Sequence, residues 1–209
     1  MNYELRIKNY LATLFASLIG LPLGVILVTG EENGIRPINS KILKAINFVI
    51  NVLRSVPFLI LMIVVFPLTR FIMGTVVGTA PTIVPLVIAA FPLVARLAET
   101  SFREIDIHKI EMAQSLGATP FQIVTRVLIR ESIPSLVSNL TIATTTILSY
   151  TAMSGIIGGG GLGKIAINYG YYRYKTLVMI VAVIFLIILV QLIQTIGTKL
   201  AVKLDKRNK

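Results

Sequence analysis

Residues 111–134 read EMAQSLGATPFQIVTRVLIRESIP. This is the longest water-compatible stretch in the middle of the chain, and long apolar segments flank it on both sides. Residues 110–116 predict a short helix. Gly117 suits the left-handed position that ends a helix, because glycine has no Cβ to clash there. Thr119-Pro120-Phe121-Gln122 is then a helix start. Thr119 caps, Pro120 takes the first helical position, and Gln122 falls three after the cap, as a capping box requires. Phe121, Val124, Val127 and Leu128 follow as an apolar stripe at helical spacing. The stretch predicts a short surface helix joined rigidly to a long one, with the angle set by a cap.

Three readings fit this element alone. Ala113, Gly117 and Ile123 have the spacing of a DNA-binding helix-turn-helix. A coupling loop between membrane spans is the second reading, and an ordinary helical hairpin the third. Composition separates them. Of 209 residues, 55% are hydrophobic and 14% charged, where a soluble domain carries roughly a quarter charged residues. So much apolar surface cannot be buried in one small core, and a bilayer is its natural solvent. The net charge of +11 comes from 20 Lys and Arg against 9 Asp and Glu. The basic loops on the inner side of a membrane protein account for such an excess. With no Cys and one His, there is no disulfide framework and a zinc site is disfavoured. Residues 11–28 are too long for the apolar core of a cleavable signal peptide, and no small-residue cleavage site follows.

Taken in order, the chain predicts a single membrane domain over 1–209 with five spans, about 9–30, 45–67, 81–96, 132–155 and 176–198. The charged loop lies at about 97–131. In the first span Gly20, Pro22 and Gly24 allow bending or close approach of a neighbour. Lys41, Lys44, Asn47, Asn51 and Arg54 recur every three or four residues, forming one polar face of a helix that enters the bilayer. Arg54 is then either an intramembrane functional group or a side chain that snorkels to the interface. Pro85 and Pro92 predict a kinked third span. Ser138, Thr141, Thr145 and Ser149 form a hydroxyl stripe on the fourth, facing other helices or a polar pathway. Tyr169, Tyr171, Tyr172 and Tyr174 suit a membrane interface.

Counting Lys and Arg by loop places thirteen on the side of the 97–131 loop and the C-terminal tail, and six on the other. The positive-inside rule therefore puts the N-terminus outside and the C-terminus in the cytoplasm of a multi-pass cell-membrane protein. The DNA reading fails on the same ground. Its recognition helix would present mostly Phe, Ile, Val and Leu to base edges and would run straight into a span. Gly158–Lys164, GGGGLGK, imitates a phosphate loop. It lacks the Ser or Thr after the Lys and the preceding strand that such a loop needs. Tight turning or close helix packing explains its glycines. No acid–base pair or nucleophile arrangement stands out. Glu99, Glu104, Asp106 and Glu111 lie among Arg and Lys, where solvated ion pairs are the ordinary explanation. His108 reads as surface. Neither a metal site nor a cofactor site is expected.

The run Glu111, Met112, Ala113, three residues, Gly117 resembles the cytoplasmic loop of ABC-importer permeases, whose pattern is Glu-Ala-Ala, three residues, Gly. Met112 departs from it. Residues 54–70 (RSVPFLILMIVVFPLTR), 78–96 (GTAPTIVPLVIAAFPLVAR), 116–124 (LGATPFQIV) and 154–174 (SGIIGGGGLGKIAINYGYYRY) together resemble the permeases of methionine importers. The GGGGLG run followed by YGY points to methionine within the superfamily.

The resemblance implies an all-α membrane protein of the type I importer architecture. It implies a homodimer, two cytoplasmic ABC ATPase subunits and an extracytoplasmic methionine-binding protein, with no nucleic acid. ATP hydrolysis would belong to the partner, so the chain is not expected to be an enzyme. Glu111, Met112, Ala113, Leu116, Gly117 and Ala118 would couple to the ATPase. Arg54, Ser138, Thr141, Thr145, Ser149, Tyr150 and Met153 are the candidate pathway residues. A permease for another small amino acid or peptide is the alternative within the class. A stand-alone secondary transporter is the alternative outside it. That reading wants ionisable groups deep in several spans, and here only Arg54 qualifies.

Overall fold

The computed structural model describes residues 3–205, with side chains from Lys8 to Asp205. Lys206, Arg207 and Lys209 of the basic tail, and the Arg6 side chain, lie outside the described residues. Among the described residues every regular element is helical.

α1 (Tyr3–Thr29) is one uninterrupted helix with Pro22 inside it. α2 (Ser40–Ser55) starts at Asn39, whose side-chain oxygen accepts from the Lys41 N–H at 3.0 Å. The single helix expected over 45–67 does not form. α2 stops at Val56, which is extended (φ −84°, ψ 126°), and α3 (Phe58–Val64) leaves at 112° to it. Pro57 is the cause, since its ring keeps the preceding residue out of the helical region and it offers no N–H. α4 (Phe66–Met73) follows and closes at Gly74. α5 (Ile83–Arg103) runs on beyond the expected end at 96.

α6 (Ile107–Ser115) and a single turn, α7 (Pro120–Gln122), come next. The helix then widens into a π-turn over Ile123–Leu128 and continues as α8 (Ile129–Met153). A π-turn bonds five residues apart instead of four, which moves the buried stripe. Ile123 and Leu128 are buried, Val124 and Val127 are half-buried, and Phe121, expected in the stripe, is 76% exposed. Beyond α8 a 3-10 turn (Ser154–Ile157) and the glycine run lead to α9 (Gly161–Lys164). A second π-turn (Ile165–Tyr171) and α10 (Thr176–Leu204) complete the described chain.

Among the described residues four helical segments are long and apolar enough to cross a membrane: Lys8–Thr29, Ile83–Arg103, Pro120–Ile157 and Thr176–Leu204. The bent pair α2–α3 makes a fifth when taken as one broken span. In the apolar window of α10 only 6% is buried inside the protein. Leu177, Phe185, Leu192 and Ile196 stand exposed there. An apolar helix left so uncovered needs lipid as its solvent.

α5 is the centre of the fold and packs against α1, α2, α3, α4 and α8. Its Leu86, Ala90, Val94 and Ala95 are fully buried. α1 comes unusually close. A Cβ at Gly20 would stand 2.7 Å from the Cβ of Val94, and one at Gly24 would stand 2.6 Å from that of Ala98. Small residues at this spacing let two backbones meet inside a bilayer. α8 is tied to α5 by the Asn139 amide, which donates to the Ser101 hydroxyl at 2.8 Å and to the Leu97 carbonyl at 3.1 Å. At the end of the molecule opposite α6, Lys8 is buried, where the count of loop charges expects a flanking surface residue. Its amine donates to the Gly159 carbonyl and to the Ser154 hydroxyl, and the Thr151 hydroxyl donates to Asn9.

Gly24→Val puts a branched side chain where Ala98 and the Ala95 carbonyl already sit. We expect a loss on the order of 1–3 kcal/mol, read as a lower thermal midpoint of the detergent-solubilised protein. Ala98→Gly in the same chain recovers part of it. An unchanged midpoint for Gly24→Val is incompatible with this α1–α5 contact.

Candidate functional site

The first site is the α6 knob, built from local backbone chemistry. The Asp106 side chain accepts from the His108 N–H at 3.0 Å and starts the helix. At its end the Gly117 N–H donates to the Gln114 carbonyl at 2.9 Å, and the Ala118 N–H to the Ala113 carbonyl at 3.0 Å. This is the paired closure of a glycine-terminated helix, and Gly117 has φ +75° as it requires. The next helix opens at once. The Thr119 N–H donates to Gln122 Oε1 at 2.9 Å, and the Thr119 hydroxyl accepts from the Gln122 N–H at 3.4 Å. Both halves of the capping box are thus present. Little freedom is left between α6 and α7.

The knob is also held from beneath. Ile110 is buried with Ala98, Phe102, Ile105, Ile123 and Leu128, and Ala113 and Ala118 pack against the same group. The Lys109 amine pairs with the Glu131 carboxylate at the foot of α8. What faces outward is apolar with an acidic edge. Met112 is 61% and Leu116 81% exposed. Glu111 is exposed beside His108, with 3.2 Å between carboxylate oxygen and Nδ1. So Glu111, Met112, Leu116 and Gly117 form the outer surface, while Ala113 and Ala118 form its footing.

The residues proposed for a pathway do not all share one face. Thr141 lies under α10, where a Cβ at Gly197 would meet its hydroxyl oxygen at 2.0 Å. The two helices pass closely there. Ser138 lines a cavity of about 290 Å³ between α5, α8 and α10 at the α6 end, with Ser101, Glu131 and Asp205. Tyr150 stacks on Phe58, with ring centroids 4.6 Å apart and planes at 7°. Ser149 and Met153 are exposed and Thr145 is half-buried on the same helix. Arg54 is exposed in the last turn of α2, just before the break that precedes Phe58. Among the described residues no side chain pairs with it. Arg54 thus stands on one side of the break and the Phe58–Tyr150 stack begins on the other, while Ser138 and Thr141 stand elsewhere.

One cluster escaped the sequence reading. Glu99 is 7% exposed, not part of a solvated pair. It takes Arg96 at 2.5 Å and Arg103 at 2.9 Å. Arg96 also donates to the amide oxygens of Asn47 and Asn51, at 2.7 Å and 2.9 Å. Arg103 reaches on to Glu31 at 2.6 Å. This ladder ties the polar face of α2 and the loop after α1 to α5. The signal was the spacing of Arg96, Glu99 and Arg103 on one helix face, matched by Asn47 and Asn51 one turn apart.

Glu99→Ala leaves two arginines without their shared carboxylate at a largely buried position. We expect a cost of about 3 kcal/mol, measured as thermal destabilisation in detergent. Glu31→Ala, at the exposed end, should cost under about 1 kcal/mol. Equal effects of the two would contradict the burial gradient described.

Comparison with known proteins agrees with this geometry. Residues 17–204 match the family described as binding-protein-dependent transport system inner membrane component. The chain is 48% identical over 189 residues to the probable D-methionine transport system permease protein MetI of Vibrio cholerae, covering 90% of this chain and 84% of that one. It is 41% identical over 206 residues to the corresponding protein of Haemophilus influenzae, covering 98% and 96%. Among solved structures it is similar to a chain of the MetNI methionine ABC transporter in an inward-facing conformation. The TM-score is 0.94 at 39% identity, covering 98% of this chain and 94% of that one. An amino acid ABC transporter crystallised with histidines shares the fold, with a TM-score of 0.77 at 21% identity. The chain belongs to the binding-protein-dependent transport system inner membrane components, the membrane-spanning permeases of that transport family.

Proposed function

We propose that this chain is the permease subunit of an ATP-driven methionine importer. Two copies form the pathway, two cytoplasmic ABC ATPase subunits bind their α6 knobs, and an extracytoplasmic binding protein delivers the amino acid. The observation that carries this reading is the knob itself. Met112 and Leu116 are exposed on a helix whose two ends and underside are fixed. The names of the similar proteins supply the substrate. The α6 end then faces the cytoplasm and the N-terminus faces outside, in keeping with the distribution of Lys and Arg.

The mechanism follows from rigidity. ATP binding draws the two ATPases together and displaces the knobs docked on them. Because α6 is locked to α7 by Gly117 and the capping box, it cannot swing freely. Because Lys109 holds Glu131 and Ile110 is seated on Phe102 and Leu128, displacement of α6 carries the ends of α5 and α8 with it. Those helices pack on each other along their length. The motion therefore reaches the Phe58–Tyr150 level and alternates the opening of the pathway. ATP binding and hydrolysis are assigned to the partner.

The test is co-purification with the neighbouring ATPase, followed by uptake of labelled methionine in proteoliposomes. The wild type should bind the ATPase and import methionine when the binding protein and ATP are present. Leu116→Glu, and Glu111→Arg with Gly117→Pro, should lose the ATPase and at least tenfold of uptake, roughly the worth of one well-made contact, while remaining folded. A wild type that captures no ATPase would end this reading and favour a secondary transporter.

A further inference from the structure

Among the described residues, Arg54 is the one basic residue set at mid-depth without an acidic residue to answer it. Asn51, one turn before it, bonds Arg96, which lies two turns, about 10 Å, inside the α6 end of α5. Phe58, the first residue beyond the break, stacks on Tyr150, within the last turn of α8 at the opposite end. Leu53 and Val56 pack on the group that holds Ala90 and Val94, the middle of α5. The guanidinium therefore leaves the helix far from either surface, and it is exposed.

A cation cannot stay on a lipid-facing surface at that depth. It needs water or an anion. This chain supplies no such anion. No Asp or Glu occurs between Glu32 and Glu99, or between Glu131 and Asp205. The deepest carboxylate, Glu99, is already shared by Arg96 and Arg103. A second copy of the chain has the same sequence and brings no carboxylate to that level either. The vacancy for an anion is thus written into the composition of the spans.

The break at Pro57 shapes the rest of the site. Pro57 has no N–H, so the Leu53 carbonyl loses the donor that a continuous helix would give it. Interrupted spans elsewhere use such carbonyl ends to hold cations. On α8, the half-buried Tyr150, one face of which lies on the buried Phe58, and the exposed Met153 supply apolar surface.

Resting on the permease reading above, we propose that Arg54 receives the α-carboxylate of the transported amino acid halfway across the membrane. The carbonyl end of α2 takes the ammonium, and Tyr150 and Met153 of α8 meet the side chain. Arg54 is then a substrate-binding residue of the pathway, distinct from the coupling knob.

The experiment compares wild type, Arg54→Lys and Arg54→Gln in the assembled complex in proteoliposomes. Methionine uptake and binding-protein-stimulated ATP hydrolysis are measured on the same vesicles. We expect Arg54→Gln to lower uptake about tenfold or more, the scale of one lost charge-assisted contact, with hydrolysis and thermal midpoint kept. Arg54→Lys should retain an intermediate rate. Unchanged uptake in Arg54→Gln overturns the proposal. A parallel fall of uptake and hydrolysis overturns it too, because a structural or coupling role would produce that. If the wild type imports no methionine, the substrate reading fails at that point, before any variant is compared. The same variants are then scored on the amino acid that the wild type does import, and unchanged import by Arg54→Gln there sinks the Arg54 assignment separately.

Discussion

The close contact between α1 and α5 is the constraint on which the arrangement depends. Lipid tails are as apolar as the side chains they would replace, so helices in a bilayer gain little from hiding apolar surface against each other. What holds them is fit. Gly20 and Gly24 bring α1 onto Val94 and Ala98 with no side chain on the α1 side of the contact. That placement leaves the other faces of α5 free for α2, α3 and α8. A helix with five neighbours cannot spare a bulky residue on each, which accounts for the run of buried alanines at 89, 90, 95 and 98.

Polar contacts then fix what small residues allow. At the α6 end the Glu99 ladder and the Asn139–Ser101 bond pin α2 and α8 to α5. At the other end Lys8 and Asn9 pin α1 to the glycine run and to α8. Between these two belts, around Arg54, cross-links among the described residues are sparse. Rigid ends joined through a less constrained middle suit a molecule whose ends must transmit motion and whose middle must change shape.

Much of the α6 region was legible in the sequence, because its determinants are local. Gly117, Thr119 and Gln122 act on backbone groups within a few residues of themselves, and their chemistry is complete without the rest of the fold. The break at Pro57 was also written there but masked by the apolar run around it. The shift of the buried stripe to Ile123 was not, because no residue type marks a π-turn. Burial of Glu99 depends on α2 and on Glu31, dozens of residues away. The divergence of Thr141 and Ser149 is of the same kind. Both are hydroxyls on one helix, and what separates them is where Gly197 of α10 happens to pass.

The uncovered surface of α10 makes the membrane itself a component of the machine. Twenty-nine residues of helix extend about 43 Å, well beyond a hydrocarbon layer of about 30 Å. The excess has to be absorbed by tilt, by deformation of nearby lipid, or by projection of the Lys199–Leu204 end into the aqueous phase. Since α10 rests on α8 at Thr141, any change of tilt bears on the helix that carries Tyr150. Acyl-chain length therefore becomes a variable of transport, acting as hydrophobic mismatch on the resting position of the pathway helices.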